Sequence, residues 1–464
     1  MPEATEGKST SDRSLKVDRT VSQKPVKLIQ SVYENNLKSG YTETIHELDK
    51  KFDYDSNSDK YWSEPQQSLL YGTPLYEASS SSQKLALNHL YWATQYSKIA
   101  TDEITALIFN PMTGSVFSKF QDLGTLCQEL DLETEQERYH IHAFQRISRL
   151  TKKALKCDRL KQSTVKKSSI LDNKHNYFSK HDSFVARFEI ERSLRKSSYS
   201  SLRFINKFLL ETQEKEPCKF LQELEQQKEG VQIPVNGVFS KFPFRYQTMQ
   251  LLTINFGTSP FLASTYYAIR LIANMMLKNW EYNYVQYFRQ LEKNGEFIPA
   301  PTSVSYWHFL DESFHTTISK TISLDVYKLF SKPTAYEQFI ANMSYYAMQR
   351  NLKGLSGAVP YRFIEDDPSF LDFIYQILQT PVFNMSASEA LYWLEKCFCQ
   401  EHEGFHLTLN HHQRLLSNLR QTFADVDYLW PVNREMRLVS SGASISRSVH
   451  HNIKAFKRFS QSVA

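Results

Sequence analysis

His308, Glu312 and His315 lie within the segment Ser305-Tyr-Trp-His-Phe-Leu-Asp-Glu-Ser-Phe-His315, at positions i, i+4 and i+7. On a helix of 3.6 residues per turn these three share one face. Two imidazoles and a carboxylate converging from one face form a ligand set suited to iron, manganese or zinc. A second Glu-x-x-His, Glu137 to His140, lies upstream in another helical pattern. The chain therefore reads first as a metalloenzyme.

Spacing alone is weak grounds. With 14 His in 464 residues, about one Glu-x-x-His is expected by chance at ordinary composition. The chain carries four: Glu43/His46, Glu137/His140, Glu312/His315 and Glu403/His406. Glu43/His46 sits in a polar stretch and is most simply a solvated face. Glu403/His406 is a stronger rival, because residues 391–419 look helical and also carry His402, His411 and His412. Gly404 weakens that helix, and a histidine cluster of the core or surface is the plainer reading.

A metal site inside a helical bundle needs carboxylates on apolar helix faces, since burying them without a cation is costly. Glu103 meets that condition, on a face with Trp92, Tyr96, Ile99, Ala106 and Leu107. Glu137 and His140 share a face with Ile141, Phe144 and Ile147, while Glu133, one turn earlier, could fall outside the core. The remaining carboxylate must come from a helix between His140 and His308. Glu281 is the better candidate, with Ile269, Leu277, Tyr284 and Phe288 as apolar bulk. Glu189 and Glu191 are the runners-up, and their Arg neighbours suggest ordinary surface ion pairs.

The elements that position these residues are helices. Gly (13) and Pro (16) are scarce, and 31 Phe and 26 Tyr recur at helical spacing, which predicts a mostly α-helical protein. Residues 1–24 are polar, without an apolar core, and read as a disordered tail. Residues 25–80 hold an amphipathic helix, a polar link and an irregular segment. A bundle domain follows over 81–464, with 149–255 as an insertion. A helix from Gln83 is expected to stop near Asn110-Pro111, and another spans about 133–154. The segment 230–259, with alternation and proline breaks, reads as loop or short strand. The stretch 149–182 has ten Lys/Arg against three Asp and reads as a solvated basic loop.

Composition narrows the classes further. A net charge of +5 makes no case for nucleic acid. Five cysteines (Cys127, Cys157, Cys218, Cys397, Cys399), with no Cys-x-x-Cys pair, suit a reducing cytoplasm. The most apolar stretch, 261–277, is interrupted by Arg270 and Asn274 and fits a bundle helix better than a membrane span.

A lone Glu and a Glu-x-x-His, repeated in two halves, resembles the ligand pattern of ferritin-like di-iron and di-manganese carboxylate bundles. Within that superfamily the order resembles the arylamine N-oxygenases of the p-aminobenzoate type, which add a third histidine four residues before the second Glu-x-x-His. The resemblance covers about residues 83–330. It implies Glu103, Glu137, His140, Glu281, His308, Glu312 and His315 as metal ligands, and its spacing favours Glu281 over Glu189. It also implies an all-α, ferritin-like bundle with additional helices and a long insertion. Two iron ions cycling between Fe2+ and Fe3+ would be the cofactor, with manganese as substitute. The reaction would be O2-dependent oxidation of a small molecule, by resemblance an aryl amine, with an external electron donor and a homodimer as the assembly. A desaturase or hydroxylase, and a non-enzymatic metal-binding scaffold, are the alternatives. Phe144, where a radical-generating subunit carries tyrosine, argues against that class.

Overall fold

The computed structural model of the chain describes residues 24–155, 192–210, 216–226, 245–352 and 369–463. Among these residues every regular element is helical and no strand occurs; the protein is all-α. The tail expected over 1–24 (all but Lys24), the basic loop beyond Leu155, and Glu189 and Glu191 lie outside the described residues.

The chain opens with α1 (Lys24–Asn36), α2 (Tyr41–Lys51) and a short α3 (Pro74–Ala78). Three helices follow: α4 (Ser81–Glu103), α5 (Ala106–Phe117) and α6 (Gly124–Ala154). Next come α7 (Arg192–Leu209), α8 (Lys219–Gln226) and α9 (Arg245–Phe256), then two long elements, α10 (Pro260–Asn294) and α11 (Ala300–Leu324). The remainder comprises α12 (Ala335–Leu352), α13 (Ser369–Leu378), α14 (Ala387–Phe398), α15 (Glu403–Phe423), α16 (Pro431–Arg434), α17 (Arg437–Ser440) and α18 (Ile445–Val463).

Local chemistry sets the ends of the long helices. The Ser80 hydroxyl and the Gln83 amide exchange hydrogen bonds with each other's backbone N–H at the start of α4, a capping box. Ser259 caps α10, with Pro260 in its first turn, where a missing N–H costs nothing. Gly295 closes α10 in the left-handed region, at φ 66°.

Four expectations are corrected. The helix beginning near Gln83 ends at Glu103 rather than at Pro111, because the N–H and hydroxyl of Thr105 both turn back to the Asp102 carbonyl. Pro111 instead lies inside α5. The polar link after α1 is helical over Tyr41–Lys51, since Thr42, Ile45 and Asp49 are buried where α2 packs on α6 and α11. Residues 245–256 form α9, whose Leu252, Ile254 and Phe256 are buried; packing on α10 and α7 overrides the local pattern. The pattern over 391–419 divides into α14 and α15 at residues 399–402, and Gly404 sits in the first turn of α15. Its N–H donates to the Gly72 carbonyl at 3.0 Å, and a Cβ there would stand 2.6 Å from the Tyr71 carbonyl oxygen.

Two apolar cores share the long helices. On α6, Leu126 and Leu130 belong to one core, whereas Ile141, Phe144 and Ile147 belong to the other. On α10 the first core takes residues from Phe261 to Ile272, and the second takes Tyr284. On α11, Ile318 and Ile322 join the first core and Val304 the second. Chain α4 contributes to the second core and α5 to the first, and Glu103 lies at their junction. Each long helix thus changes core where its acids and histidines stand. The result is a polar layer between two apolar bodies.

Candidate metal centre

Glu103 ends α4; Glu133, Glu137 and His140 lie on α6; Arg270 and Glu281 lie on α10; His308, Asp311, Glu312 and His315 lie on α11. On α6 and α11 the relevant side chains are all at most 3 % exposed. His308 is held between two acids, with Nδ1 2.9 Å from Glu281 Oε1 and Nε2 3.0 Å from Glu103 Oε1. His315 Nδ1 lies 2.8 Å from Glu312 and 3.5 Å from Glu137. His140 Nδ1 lies 3.5 Å from Glu137, and its Nε2 lies 2.9 Å from Asp311.

Ligand-type atoms fall into two groups that could hold metal ions. One comprises Glu103, His140, His308 and Glu312; the other comprises Glu133, Glu137 and His315, each with its ligand atoms within 4.8 Å of one another. The structure therefore brings together all seven residues singled out in the sequence. Glu281 stands at the edge, touching His308 but belonging to neither group. Glu403 and His406 are exposed on α15, where His406 pairs with Glu401 at 3.0 Å, and Glu43 is exposed on α2.

Several polar partners escaped the sequence reading. Glu133 is fully buried, and its face with Leu126 and Leu130, at spacings of four and three, was the signal. The Arg270 guanidinium reaches both Glu133 and Glu137, the latter at 2.6 Å. Asp311 and Gln136 immediately precede Glu312 and Glu137 in sequence, and each faces a histidine of the opposite motif.

The electrostatics are those of acids crowded out of water. Burial, then the carboxylates of Glu103 and Glu312, push Glu137 well above the usual carboxylate range. Burial also opposes ionisation of Glu312, but His315, His308 and Arg270 outweigh it and hold this carboxyl well below its ordinary value. Burial would lower His140, yet Asp311 and Glu137 lift it to about 10. Acids this close cannot all ionise unless cations or protons neutralise them.

Unpartnered atoms test whether iron fits. Glu103 Oε2, Glu133 Oε2, Glu137 Oε2, Glu281 Oε2 and both ring nitrogens of His140 are buried without an aligned hydrogen bond, although His140 Nε2 lies 2.9 Å from the Asp311 carboxylate as an ion-pair contact. Such atoms are costly unless something satisfies them. Carboxylate oxygens mixed with imidazole nitrogens form a donor set that suits iron. The residues present fit the metal.

Fold and site together define an all-α protein with a buried carboxylate–histidine centre able to hold metal ions. The chain belongs to the CylC-like acyl halogenase family: the family model described as "Acyl halogenase CylC-like" matches residues 24–460. No curated protein and no solved structure matches it. The family implies an iron-dependent enzyme of the halogenase and oxygenase type. This match overturns the resemblance to the arylamine N-oxygenases. That resemblance rested on seven ligand-type residues, which report how cations are held and not what lies over them. Among the described residues no helix is long and apolar enough to cross a membrane.

Proposed function

We propose that the chain is a di-iron halogenase that replaces a hydrogen on the carbon chain of an acyl substrate with a halogen, within a ferritin-like bundle. Glu103, Glu137, His140, Glu281, His308, Glu312 and His315 would hold the two ions, with Glu133 as an eighth candidate. One observation carries the substrate class: a pocket of about 970 Å³, open space at its mouth included, that opens onto the acids of the centre. Glu103, Glu137, Glu281 and Glu312 line it, and Trp92, Ile99, Met276, Leu277, Trp280 and Tyr284 supply apolar wall. Such a wall binds a hydrocarbon chain and excludes water, while the acids mark where chemistry occurs.

Iron held there supplies the redox chemistry that O2 requires. The net reaction is R–H + X⁻ + O2 + 2e⁻ + 3H⁺ → R–X + 2H2O, where X⁻ is a halide and the two electrons come from an external donor. A C–H bond breaks and a C–X bond forms; the carbon and halide together give up two electrons, and O2 accepts four. The chain's own residues orient the substrate. Trp92 packs on Tyr284, with ring centroids 3.9 Å apart, which makes this wall rigid. The Tyr96 hydroxyl is occupied by the Pro301 carbonyl and Ser305, so its ring offers the pocket mainly apolar surface. Arg270 balances Glu133 and Glu137 beside the reacting carbon.

The test uses iron-loaded protein, a medium-chain acyl thioester, chloride, air and a chemical reductant. Products are read by mass and isotope pattern. A chlorine-for-hydrogen replacement that requires chloride and O2 is expected. Hydroxylated product with no dependence on halide would replace this reading with an oxygenase.

A further inference from the structure

The two histidines of the Glu-x-x-His motifs are backed by unlike groups. His140 Nε2 lies 2.9 Å from the Asp311 carboxylate. His315 Nε2 lies 3.1 Å from the amide oxygen of Gln136. Both partners are in turn fixed by α1 and α2, which lie across α6 and α11. The Thr42 hydroxyl donates to Asp311 Oδ2 at 2.9 Å. Asn36 and Gln136 exchange amide hydrogen bonds at 2.8 and 3.1 Å, and the Gln136 amide also donates to Asp311 Oδ1 at 3.4 Å. Asn36, Thr42, Gln136 and Asp311 are all buried.

A carboxylate behind an imidazole makes the ring a stronger donor than a neutral amide does, and such outer partners change metal affinity about 10–100-fold. His140 belongs to the group with Glu103, His308 and Glu312; His315 belongs to the group with Glu133 and Glu137. An independent observation points the same way. The Arg270 guanidinium makes its direct contacts with Glu133 and Glu137, so a fixed positive charge opposes a cation most closely in the second group, although its field also reaches Glu103 and Glu312 of the first.

We propose that the two cation positions are unequal by construction, the Glu103–His140–His308–Glu312 position being the tighter, and that α1 and α2 maintain the difference through Thr42–Asp311 and Asn36–Gln136. These four are positioning residues, acting through the histidines. The inference rests on the metal-centre reading, but its failure is separable.

Anaerobic calorimetric titration of metal-free protein with ferrous iron should show two steps, at least tenfold apart in affinity. Asp311→Asn, which keeps shape and most hydrogen bonds, should weaken the tight step about 10–100-fold and leave the weak step in place. Thr42→Val should shift the tight step in the same direction by less. Gln136→Glu should tighten the weak step and draw the two together. Mössbauer spectra of the loaded protein should show two ferrous signals, of which Asp311→Asn alters one; unchanged circular dichroism confirms folding. Two equal steps, or equal weakening of both by Asp311→Asn, would overturn the inference while leaving the centre intact. Failure of the unmodified protein to bind iron would overturn the centre as well.

Discussion

Glu137/His140 and Glu312/His315 stand in the layer between the two apolar cores, at 3 % exposure or less. Glu43/His46 and Glu403/His406 have the same spacing and the same helical context, yet Glu43, Glu403 and His406 face water. His406 finds a surface partner in Glu401, and His46 rests edge-on against the Tyr139 ring. Spacing guarantees only that the two side chains of a pair share a helix face. What makes a pair chemically potent is where that face lies, because an acid beside water satisfies itself and an acid between two cores cannot. The same four letters therefore mark a centre in one region and ordinary surface in another.

The sharpest way to break this contrast is to delete one histidine of each kind. His140→Ala and His315→Ala should each reduce bound iron to one ion per chain or fewer, and turnover should fall more than about 100-fold, beyond the roughly 10–100-fold typical when only a ligand's supporting partner is lost. His46→Ala and His406→Ala should keep iron content and turnover near those of the unmodified protein. Iron analysis of the four purified variants checks this. Loss of iron from His406→Ala would erase the distinction between the two regions.

A second experiment probes the layer without touching a histidine. Arg270 is 6 % exposed and stands against Glu133 and Glu137. Arg270→Leu keeps bulk but leaves buried acids without their cation, which should cost about 3–5 kcal/mol of stability in the metal-free protein. Added ferrous iron should restore part of that loss, because cations would replace the guanidinium. Denaturant titration with and without iron reads both effects.

A smaller effect sharpens the comparison from outside the centre. His89 is buried like His140 but has no acid partner: its ring meets the Tyr54 hydroxyl and the Lys60 carbonyl. Burial therefore wins and lowers His89 to about 4, whereas acids lift His140 to about 10. Between pH 6.5 and 4 the unfolded chain takes up a proton at position 89 that the folded chain refuses. Stability then rises with pH across this window and is lost as pH falls through it. The full span is worth on the order of 3 kcal/mol. Denaturation at pH 7 and pH 4.5 should show a weaker pH dependence for His89→Gln than for the unmodified protein.

Much of the centre was legible because helical periodicity is local information. Glu103 betrayed itself as one acid in an aromatic and aliphatic stripe, and His308, Glu312 and His315 as three donors on one face. All-α architecture followed from scarce breakers and the same periodicity. What stayed hidden depends on neighbours remote in sequence. Arg270 looked like an interruption in an apolar run until α10 was seen against α6. Asp311 and Gln136 drew no notice beside the motif residues, and their role shows only once α1 and α2 are seen to cover them. The family was misread for a related cause. Ligand residues are shared among chemistries, whereas the walls above them come from Trp92, Trp280 and Tyr284, whose side chains meet only in the folded protein.

The bond from Thr42 to Asp311 joins residues 269 positions apart. Chains are made at about 5–20 residues per second, so α1 and α2 wait from roughly ten seconds to a minute for their partner to emerge. During that interval the buried faces of α1 and α2, with Ile29, Val32 and Ile45, have no α11 to cover them, and α6 displays its acids on an otherwise apolar stripe. Glu312 completes one group of ligand atoms and His315 the other, and both leave the ribosome after every other member. Iron offered to the growing chain has no finished site to enter, which makes loading an event of the chain synthesised through α11.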